Sequence, residues 1–381
     1  MVRRENSAPE REPMKKVMLI LGTRPEAVKM CPLVPAIAAR GMRPVVLLTG
    51  QHRQMPGDVL AVFGIKPAYC LDLMEEGEGL SQLTARILEG VDDILKQERP
   101  DIALVHGDTV TAFASAVACF FLGVPFGHVE AGLRTYNMKA PFPEEFNRRA
   151  VSLAARLHFA PTEGARQNLL KEGIPARDIF VTGNTGIDTL RATVKKDYIH
   201  PAIAWAKGSR LLFFTAHRRE NQGEKMCSMF RALRRIVGAF PDLKAICPLH
   251  PNPLVQAAAK KVFPAGGREE RILLTEPLDM VACHNIMARA TFILTDSGGI
   301  QEEAAFLGKP VLVMRTTTER PEGLSCGAAR LVGTEEESIF RESAALLTDP
   351  ATYAAMARAG NPYGDGFAAR RVAEVLYTTE E

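Results

Sequence analysis

The sequence predicts an α/β protein with two doubly wound, parallel-sheet domains. Short apolar segments rich in leucine and β-branched residues end in glycine, aspartate or histidine, and a stretch of helical periodicity follows each one. Strands that are apolar on both faces and alternate with helices are typical of a parallel sheet covered on both sides. The series occurs twice along the 381 residues, a length that suits about two domains. Each half is therefore expected to be Rossmann-like.

The first series follows residues 1–15, whose charged, proline-containing sequence predicts a flexible arm. We expect the N-terminal domain to span residues 16–186. Its strands are predicted at KKVMLILG, RPVVLLTG, DIALVHGD, VPFGHVE, HFAPT and DIFVTGN. Its helices are predicted through about residue 40, from Thr109 to Leu122 and around Gln167 to Glu172.

The second series, predicted for residues 187–365, follows a connector that includes TVKKDYIHPAIAWAKGS. Its strands are predicted at SRLLFFTAH, LKAICPLH, RILLTEPL, TFILTDSGG, KPVLVM and ARLVG. Parallel sheets bind ligands beyond the carboxyl ends of their strands. We therefore expect the two sheets to face a cleft lined by both sets of strand ends.

Composition narrows the class of partner. Lys and Arg number 47 against 44 Asp and Glu, a net charge of +3, with 46% hydrophobic and 24% charged residues. This near-neutral balance gives no general attraction to nucleic acid or to an anionic membrane, so a small phosphate held by local basic residues is expected instead. The seven cysteines show no CxxC spacing, which indicates reduced thiols in a cytoplasmic protein. The sequence has no HExxH, Walker A or GxSxG motif, so the motifs offer no metalloprotease, P-loop NTPase or α/β-hydrolase interpretation.

The segment TDSGGIQEE predicts a strand, a turn and the start of a helix. Free N–H groups at a helix start favour a phosphate, and the glycines Gly298 and Gly299 allow close approach. The hydroxyl of Ser297 could donate a further hydrogen bond, and Glu303 could reach a ribose diol. The alternative, equally weighted, is a plain N-cap in a tight turn.

Basic residues follow strands in both halves. In GTRPEAVKM, Arg24 and Lys29 lie beside a predicted helix start and could hold a diphosphate. The alternative is that Arg24 pairs with Glu26 on a solvated surface. In TAHRREN, His217 and Arg218 are interpreted as facing a ligand, because arginine is rarely buried unpaired.

Three acids also follow strands or begin helices. Asp108 in VHGDT is better explained by sequence alone as the N-cap of the next helix. Glu130 ends an apolar run, where a carboxylate is costly unless it is hydrogen-bonded or catalytic. Glu144 opens a helix with Arg148 four residues later, and the plain interpretation is an exposed pair of opposite charges.

Most histidines receive no functional assignment. His106 and His128 lie inside apolar runs and are expected to be structural. No sequence context raises the remaining candidates above surface or core residues: His52, His158, His200 and His284.

Taken together in order, the motifs GTRPEAVKMCPLV, QHRQM, VHGDT, GHVEAGLRT, PFPEEFNRR, HFAPT, VTGNTGID, TAHRREN, HPNP, EPLD, TDSGGIQEE, GKPVLVMR and TTERPE closely resemble the non-hydrolysing UDP-N-acetylglucosamine 2-epimerases. The resemblance covers about residues 16–335. It implies a glycosyltransferase-B-like architecture with a deep cleft between the two domains and a C-terminal helix, about residues 366–381, that returns to the first domain. It also implies a homodimer that uses a UDP-sugar and no metal or redox cofactor.

Site residues follow from the same resemblance. Arg24, Lys29, His217, Ser297 and Glu303 match positions that contact UDP or support its departure, and we include His217 among the catalytic residues. Asp108, Glu130 and Glu144 match the catalytic acids, and Arg148 matches a position near the sugar and diphosphate. Further binding positions are Gly298, Gly299 and His250. A regulatory second site is implied at Gln51, Gln54 and Arg218, with His250 as a partner.

The implied reaction is an anti elimination of UDP that gives 2-acetamidoglucal, followed by re-addition with the opposite configuration at carbon 2. Three alternatives stay open: a glycosyltransferase of the same architecture, a hydrolysing 2-epimerase, and a nucleotide-sugar sensor whose acids are structural.

The chain departs from the family pattern at four positions. Ala140 replaces a hydroxyl and Thr316 replaces an acid. Gly77 stands where the regulatory site uses an arginine, and Cys283 stands where an aromatic residue often lies at the uracil. Allosteric activation and uracil packing are therefore expected to differ.

Overall fold

The computed structural model describes residues 14–50, 57–73, 77–264, 268–269, 271–318 and 320–379. They form two compact units. The first runs to Thr185 and resumes at Ala368, and the second is Gly186–Phe367. No helix within these described ranges has both the length and the apolar character needed to cross a bilayer.

The first unit is a parallel sheet with helices between its strands. Its strands are β1 (Lys16–Leu21), β2 (Arg43–Leu48), β3 (Tyr69–Cys70), β4 (Ile102–His106), β5 (Phe126–Val129), β6 (Leu157–Ala160) and β7 (Ile179–Val181). Its helices are α1 (Arg24–Met30), α2 (Leu33–Ala38), α3 (Gly57–Val62), α4 (Leu80–Glu98), α5 (Val110–Leu122), α6 (Glu144–Ala154) and α7 (Glu163–Lys171). The strand order is β3-β2-β1-β4-β5-β6-β7.

Two predicted helices of the first unit differ from the structure. The helix expected through about residue 40 is divided into α1 and α2, and Pro32 between them has no N–H with which to continue α1. The helix expected around Gln167 begins earlier, at Glu163. The Thr162 side chain caps it by accepting a hydrogen bond from the Ala165 N–H at 3.1 Å.

The second unit repeats the architecture. Its strands are β8 (Arg210–Thr215), β9 (Leu243–Pro248), β10 (Arg268–Glu269), β11 (Ile272–Thr275), β12 (Phe292–Thr295), β13 (Val311–Val313) and β14 (Ala329–Leu331). Its helices are α8 (Thr185–Thr193), α9 (Pro201–Ala206), α10 (Glu224–Ala239), α11 (Pro253–Val262), α12 (Met280–Arg289), α13 (Gly298–Phe306), α14 (Pro321–Ser325), α15 (Glu336–Thr348) and α16 (Pro350–Ala357). The order is β10-β11-β9-β8-β12-β13-β14, and only β10 pairs antiparallel.

The strand order of each sheet reverses at one point. In the first unit β1 pairs with both β2 and β4, and in the second β8 pairs with both β9 and β12. Side chains of these central strands are almost all buried, because helices cover both faces. Ligands of open α/β sheets bind at such a reversal, beyond the carboxyl ends of the strands. The segments after β1, β4, β8 and β12 are therefore where a site is expected.

The C-terminal helix α17 (Ala368–Thr378) belongs to the first unit and packs against α2. The Lys15 ammonium donates hydrogen bonds to the carbonyls of Leu376 at 2.9 Å and Thr379 at 2.7 Å. The Arg371 guanidinium donates to the Thr182 carbonyl at 3.1 Å. Hydrogen bonds thus hold α17 and the residue after it to the segment before β1 and to the segment after β7.

The backbone of Gly132, two residues after Glu130, closely approaches the backbone of α7. Its φ is +91°, and an added Cβ would lie 2.2 Å from the Ala165 carbonyl oxygen on α7. Only glycine fits this position, since other residues meet both backbone strain and a clash. The segment after β5 is therefore fixed against α7.

We predict that Gly132→Ala lowers the free energy of unfolding by about 3 kcal/mol, because left-handed strain adds to overpacking. The matched control is Gly173→Ala, at φ +86° with nothing near the added Cβ, for which about 1 kcal/mol is expected. Urea unfolding followed by circular dichroism measures both losses. Equal losses in the two variants would show that the contact with α7 costs nothing.

Candidate functional site

Glu130 directly follows β5 and has a left-handed backbone, with φ of +62°. This conformation is uncommon for a residue with a side chain and marks a position held by its surroundings. The Lys29 ammonium forms an ion pair with Oε1 of Glu130, and the Asn184 amide donates to the same oxygen at 3.4 Å. Nε2 of His106 lies 3.6 Å from Oε2. The Glu130 carboxylate thus lies close to side chains from three other segments of the first unit.

Lys29 is placed by the way in which α1 begins. Thr23 and Glu26 form a capping box, and the buried Glu26 carboxylate accepts hydrogen bonds from the Gly22 N–H at 3.0 Å and the Thr23 N–H at 2.7 Å. The Thr109 hydroxyl also donates to Glu26, at 2.7 Å. Burial raises the pKa of Glu26, and these hydrogen bonds oppose that effect.

The expected alternative for Arg24, a solvated pair with Glu26, is wrong. Glu26 is buried under the turn, and the Arg24 guanidinium pairs instead with Asp58 on α3 at 2.9 Å. The N–H groups of Gly22 and Thr23 are occupied by Glu26. An anion near this turn therefore depends on cationic side chains rather than on the helix start.

The N-cap interpretation of Asp108 is also wrong. The cap of α5 is Thr109, whose hydroxyl accepts from the Ala112 N–H at 3.0 Å. The Asp108 carboxylate instead forms an ion pair with Arg148 on α6, and the Asn147 amide donates to the Asp108 carbonyl at 2.9 Å. The acid is therefore turned toward α6 and leaves capping to its neighbour.

His128 supports the turn that carries Asp108. Its Nε2 lies 2.8 Å from the Gly107 carbonyl oxygen and its Nδ1 lies 3.3 Å from the Ser152 hydroxyl. Burial lowers the pKa of His128 to about 3 and that of His106 to about 4, so both rings are neutral at neutral pH.

Glu144 and Glu145 begin α6 but have different surroundings. Glu145 is fully buried and accepts hydrogen bonds from the N–H groups of Thr135 at 3.0 Å and Tyr136 at 2.9 Å. Oε2 of Glu144 is buried, yet no group among the described residues forms a hydrogen bond with it. The expected pair of Glu144 with Arg148 is wrong, because Arg148 pairs with Asp108 and Glu145 instead.

The three candidate acids share one electrostatic environment. Burial raises the pKa of Asp108, the charges of Glu130 and Glu144 raise it further, and Arg148 lowers it. A raised pKa makes a carboxyl a better proton acceptor than an ordinary aspartate. Asp108, Glu130, Glu144, Lys29 and Arg148 therefore form a cluster suited to acid–base chemistry beside cations.

In the second unit, Asp296 fixes the segment that follows β8. It is fully buried directly after β12 and accepts hydrogen bonds from the N–H groups of His217 at 3.0 Å and Arg218 at 2.9 Å. The Asn221 amide donates to the same carboxylate at 3.0 Å. The motifs TDSGG and TAHRREN are thus joined across the β8–β12 pair.

His217 stacks on His250, which follows β9, with ring centroids 5.5 Å apart and an interplanar angle of 13°. Nδ1 of His217 lies 3.4 Å from Oδ1 of Asp296. Burial lowers the pKa of His217, as do the charges of His250 and Arg218, while Asp296 raises it. The structure therefore brings together His217, Arg218 and His250.

The start of α13 carries a cation that sequence reasoning missed. Ser297 is the N-cap residue, but its side chain makes no capping hydrogen bond within the described residues. The Arg320 guanidinium packs against Gly298: a Cβ added to this glycine would lie 3.2 Å from Cζ of Arg320. Nε of Arg320 donates a hydrogen bond to the Glu302 carboxylate at 2.7 Å. The helix start thus offers an arginine beside its glycines, which strengthens the phosphate interpretation over a plain cap.

The sequence also did not predict that a histidine lies beside Glu303. Nε2 of the buried His284 lies 3.6 Å from Oε1 of Glu303. A single histidine in an apolar helix gives no sequence signal for such a contact. Arg320, by contrast, lies in TTERPE, one of the motifs that carry the family resemblance.

Two predicted positions, Gln51 and Gln54, lie outside the described residues. Over the ranges that are described, no group of three or more His, Cys, Asp or Glu side chains could hold a metal ion.

The family model for UDP-N-acetylglucosamine 2-epimerase matches residues 36–377. A Bacillus subtilis UDP-N-acetylglucosamine 2-epimerase is 51% identical over 362 residues, covering 95% of this chain and 94% of that protein. A solved structure of a UDP-N-acetylglucosamine 2-epimerase has a TM-score of 0.87 and 48% identity, covering 97% of this chain and 98% of that one. A Neisseria meningitidis UDP-GlcNAc 2-epimerase bound to UDP-GlcNAc has a TM-score of 0.88 and 40% identity, covering 96% of this chain and 100% of that one.

These likenesses and the two parallel sheets confirm the predicted fold class: an α/β protein with two Rossmann-like domains of glycosyltransferase-B-like type.

Proposed function

Because the chain belongs to the UDP-N-acetylglucosamine 2-epimerase family, we propose that it interconverts UDP-N-acetylglucosamine and UDP-N-acetylmannosamine. The observation that carries the proposal is the cluster of three carboxyl groups, Asp108, Glu130 and Glu144, beside Lys29 and Arg148. The Neisseria meningitidis relative bound to UDP-GlcNAc supports the choice of substrate.

Inversion at carbon 2 requires that its weakly acidic hydrogen be removed. Elimination makes this possible. A base takes the proton from carbon 2, the electrons of that C–H bond form the double bond to carbon 1, and the electrons of the bond between carbon 1 and the diphosphate oxygen leave with UDP. The products are UDP and 2-acetamidoglucal, with a double bond between carbons 1 and 2. A proton then adds to carbon 2 from the other face while the UDP oxygen attacks carbon 1. The reaction is balanced and consumes no water.

Two ring faces require two acid–base groups. Two of the three acids supply this pair. The raised pKa of Asp108 suits a group that both accepts and donates a proton. The third carboxylate can stabilise positive charge that develops at carbon 1 as UDP leaves.

The departing diphosphate needs cations and N–H donors. In the first unit we assign Arg24, Lys29 and Arg148 to the side of the substrate that carries this charge. In the second unit we assign His217, Ser297, Gly298, Gly299 and Arg320 to the diphosphate, His250 to the same binding surface and Glu303 to the ribose. The glycine-rich start of α13 with its adjacent Arg320 supports this assignment.

We also propose a homodimer formed through α5 and α6. Phe120 is 65% exposed and Leu153 is 80% exposed, and each lies seven residues from an aromatic residue of its own helix, Phe113 and Phe146. Those two rings lie 5.6 Å apart, so the four side chains form one apolar surface. A contiguous apolar surface of this kind favours a protein interface.

A cytoplasmic location is part of the same proposal. All seven cysteines are free. Four of them, Cys31, Cys119, Cys227 and Cys247, are buried, and free thiols are typical of a reducing compartment.

Incubation with UDP-N-acetylglucosamine in deuterated water tests the reaction. We expect NMR to show deuterium at carbon 2 of a UDP-N-acetylmannosamine product, because the proton removed exchanges with solvent. Release of free N-acetylmannosamine would indicate a hydrolysing enzyme instead. Unlabelled sugar, or a product formed only with an acceptor, would contradict the proposal.

The acids are tested by Asp108→Asn, Glu130→Gln and Glu144→Gln. Each should reduce turnover by about a hundredfold or more while changing UDP affinity by less than about threefold, because proton transfer is lost and binding is kept. Steady-state kinetics and calorimetry measure the two effects.

The matched control for these variants is Glu98→Gln. Glu98 is a partly buried acid of the same unit that accepts a hydrogen bond from Tyr69 and pairs with Lys16 at the start of β1. Its turnover should stay within about threefold of wild type, since it lies away from the reacting groups. A site variant that lowers only the melting temperature and spares turnover would show that its acid is structural.

For the dimer, we expect sedimentation velocity of the 41.6 kDa chain to give twice the monomer mass. The double variant Phe120→Glu, Leu153→Glu should sediment as a monomer, because charge is buried at the proposed interface. Ile199→Glu, at an 89% exposed position of the second unit, is the control and should leave the dimer intact. A monomeric wild type would contradict the proposal.

A further inference from the structure

His284 is a buried histidine to which neither the sequence motifs nor the reaction assigns a role. It lies on α12 and presents Nε2 at 3.6 Å from Oε1 of Glu303 on α13. Among the described residues, no other side chain forms a hydrogen bond or ion pair with the Glu303 carboxylate. The orientation of this acid therefore depends on one imidazole.

The other edge of the ring is anchored. Nδ1 of His284 lies 2.7 Å from the Thr193 hydroxyl oxygen. That hydroxyl also lies 2.9 Å from the Thr189 carbonyl oxygen and 3.1 Å from that of Leu190. The contact with Nδ1 is the shortest of the three, so we assign the hydroxyl proton to Nδ1 and the ring's own proton to Nε2, which faces Glu303. The ring cannot rotate without breaking that hydrogen bond.

The neighbouring Asn285 fixes the anchor itself. Its side-chain NH2 group donates to the Thr193 backbone carbonyl at 2.8 Å, and its side-chain oxygen Oδ1 accepts from the Lys195 N–H at 2.9 Å. Asn285 is fully buried. The end of α8 is thus held against α12, and the Thr193 hydroxyl cannot move away from His284.

We propose that His284 is a positioning residue: held by Thr193, it keeps the Glu303 carboxylate in the orientation that accepts hydrogen bonds from the ribose 2′- and 3′-hydroxyls of the nucleotide. The inference rests on the proposed function, which assigns the ribose to Glu303. It adds a specificity determinant that touches neither the sugar that reacts nor the nucleotide.

The physical reason is the demand that a diol makes on a carboxylate. Two adjacent hydroxyls need the acid's oxygens at fixed positions, and a carboxylate that rotates freely loses conformational entropy when it binds them. An imidazole N–H that lies 3.6 Å from one oxygen and points toward it limits that freedom in advance.

The test compares two nucleotides, UDP and 2′,3′-dideoxyuridine diphosphate, by calorimetry on the full chain. In His284→Leu we expect the Kd of UDP to rise about tenfold, because the hydrogen bonds to Glu303 are weakened. The Kd of the dideoxy nucleotide should change by less than about twofold. His284→Gln, which keeps an N–H donor near the position of Nε2, should retain UDP affinity within about threefold of wild type.

Further variants make the test independent of folding problems at His284. Thr193→Val keeps the buried shape but removes the anchor, and should give the same discrimination at about threefold. The control is Ser343→Ala, which removes a buried hydroxyl of the same unit that has no hydrogen-bond partner in the described structure; both affinities should stay unchanged.

Equal weakening of both nucleotides in His284→Leu and Thr193→Val would overturn the inference, since it would show general distortion of the domain. Unchanged UDP affinity in both variants would overturn it as well. If wild type itself fails to bind UDP, the proposed function fails. A wild type that binds UDP and exchanges deuterium, with variants that do not discriminate, refutes the role of His284 alone.

Discussion

Buried carboxylates at the carboxyl ends of the strands are the constraint on which both sites depend. A carboxylate removed from water is costly unless donors or cations surround it, so each such acid determines the placement of its neighbours. Glu26 fixes the turn before α1, and Asp296 fixes the segment after β8. Glu130 gathers Lys29 and Asn184. The loops around the strand-order reversals are therefore held by charge rather than by apolar packing.

The partners of each acid separate its structural role from its chemical one. Glu145 and Asp296 accept hydrogen bonds mainly from backbone N–H groups, which cannot move or change their charge. Such acids stabilise loops, because donors of the surrounding backbone already bind their oxygens. Asp108 and Glu130 face cationic side chains, and Glu144 keeps a buried oxygen without a hydrogen bond in the described structure. A cation can be shared with a substrate phosphate, so these three acids remain available for chemistry.

The sequence predicted the fold class because apolar strands and helical periodicity are local properties. It also identified most candidate site residues, since a parallel sheet brings strand ends to one edge. It could not choose between Asp108 and Thr109 as the cap of α5, because both residue types cap helices well and only α6 supplies Arg148. The contact of His284 with Glu303 was equally hidden, because it joins two helices through a residue with no sequence signal.

Glu130 and Glu144 each have a feature that lowers the stability of the fold. A residue with a side chain in the left-handed region costs on the order of 1–2 kcal/mol, and a buried carboxylate oxygen without a hydrogen bond costs at least about as much. The ion pair with Lys29 offsets the backbone cost at Glu130, whereas no hydrogen bond within the described residues offsets the cost at Oε2 of Glu144. A fold tolerates such features where its reactive groups lie. Glu145, one residue away and fully bonded, shows that the same helix start can satisfy a carboxylate completely. The missing hydrogen bond at Oε2 of Glu144 is thus a property of that position and not of α6 as a whole.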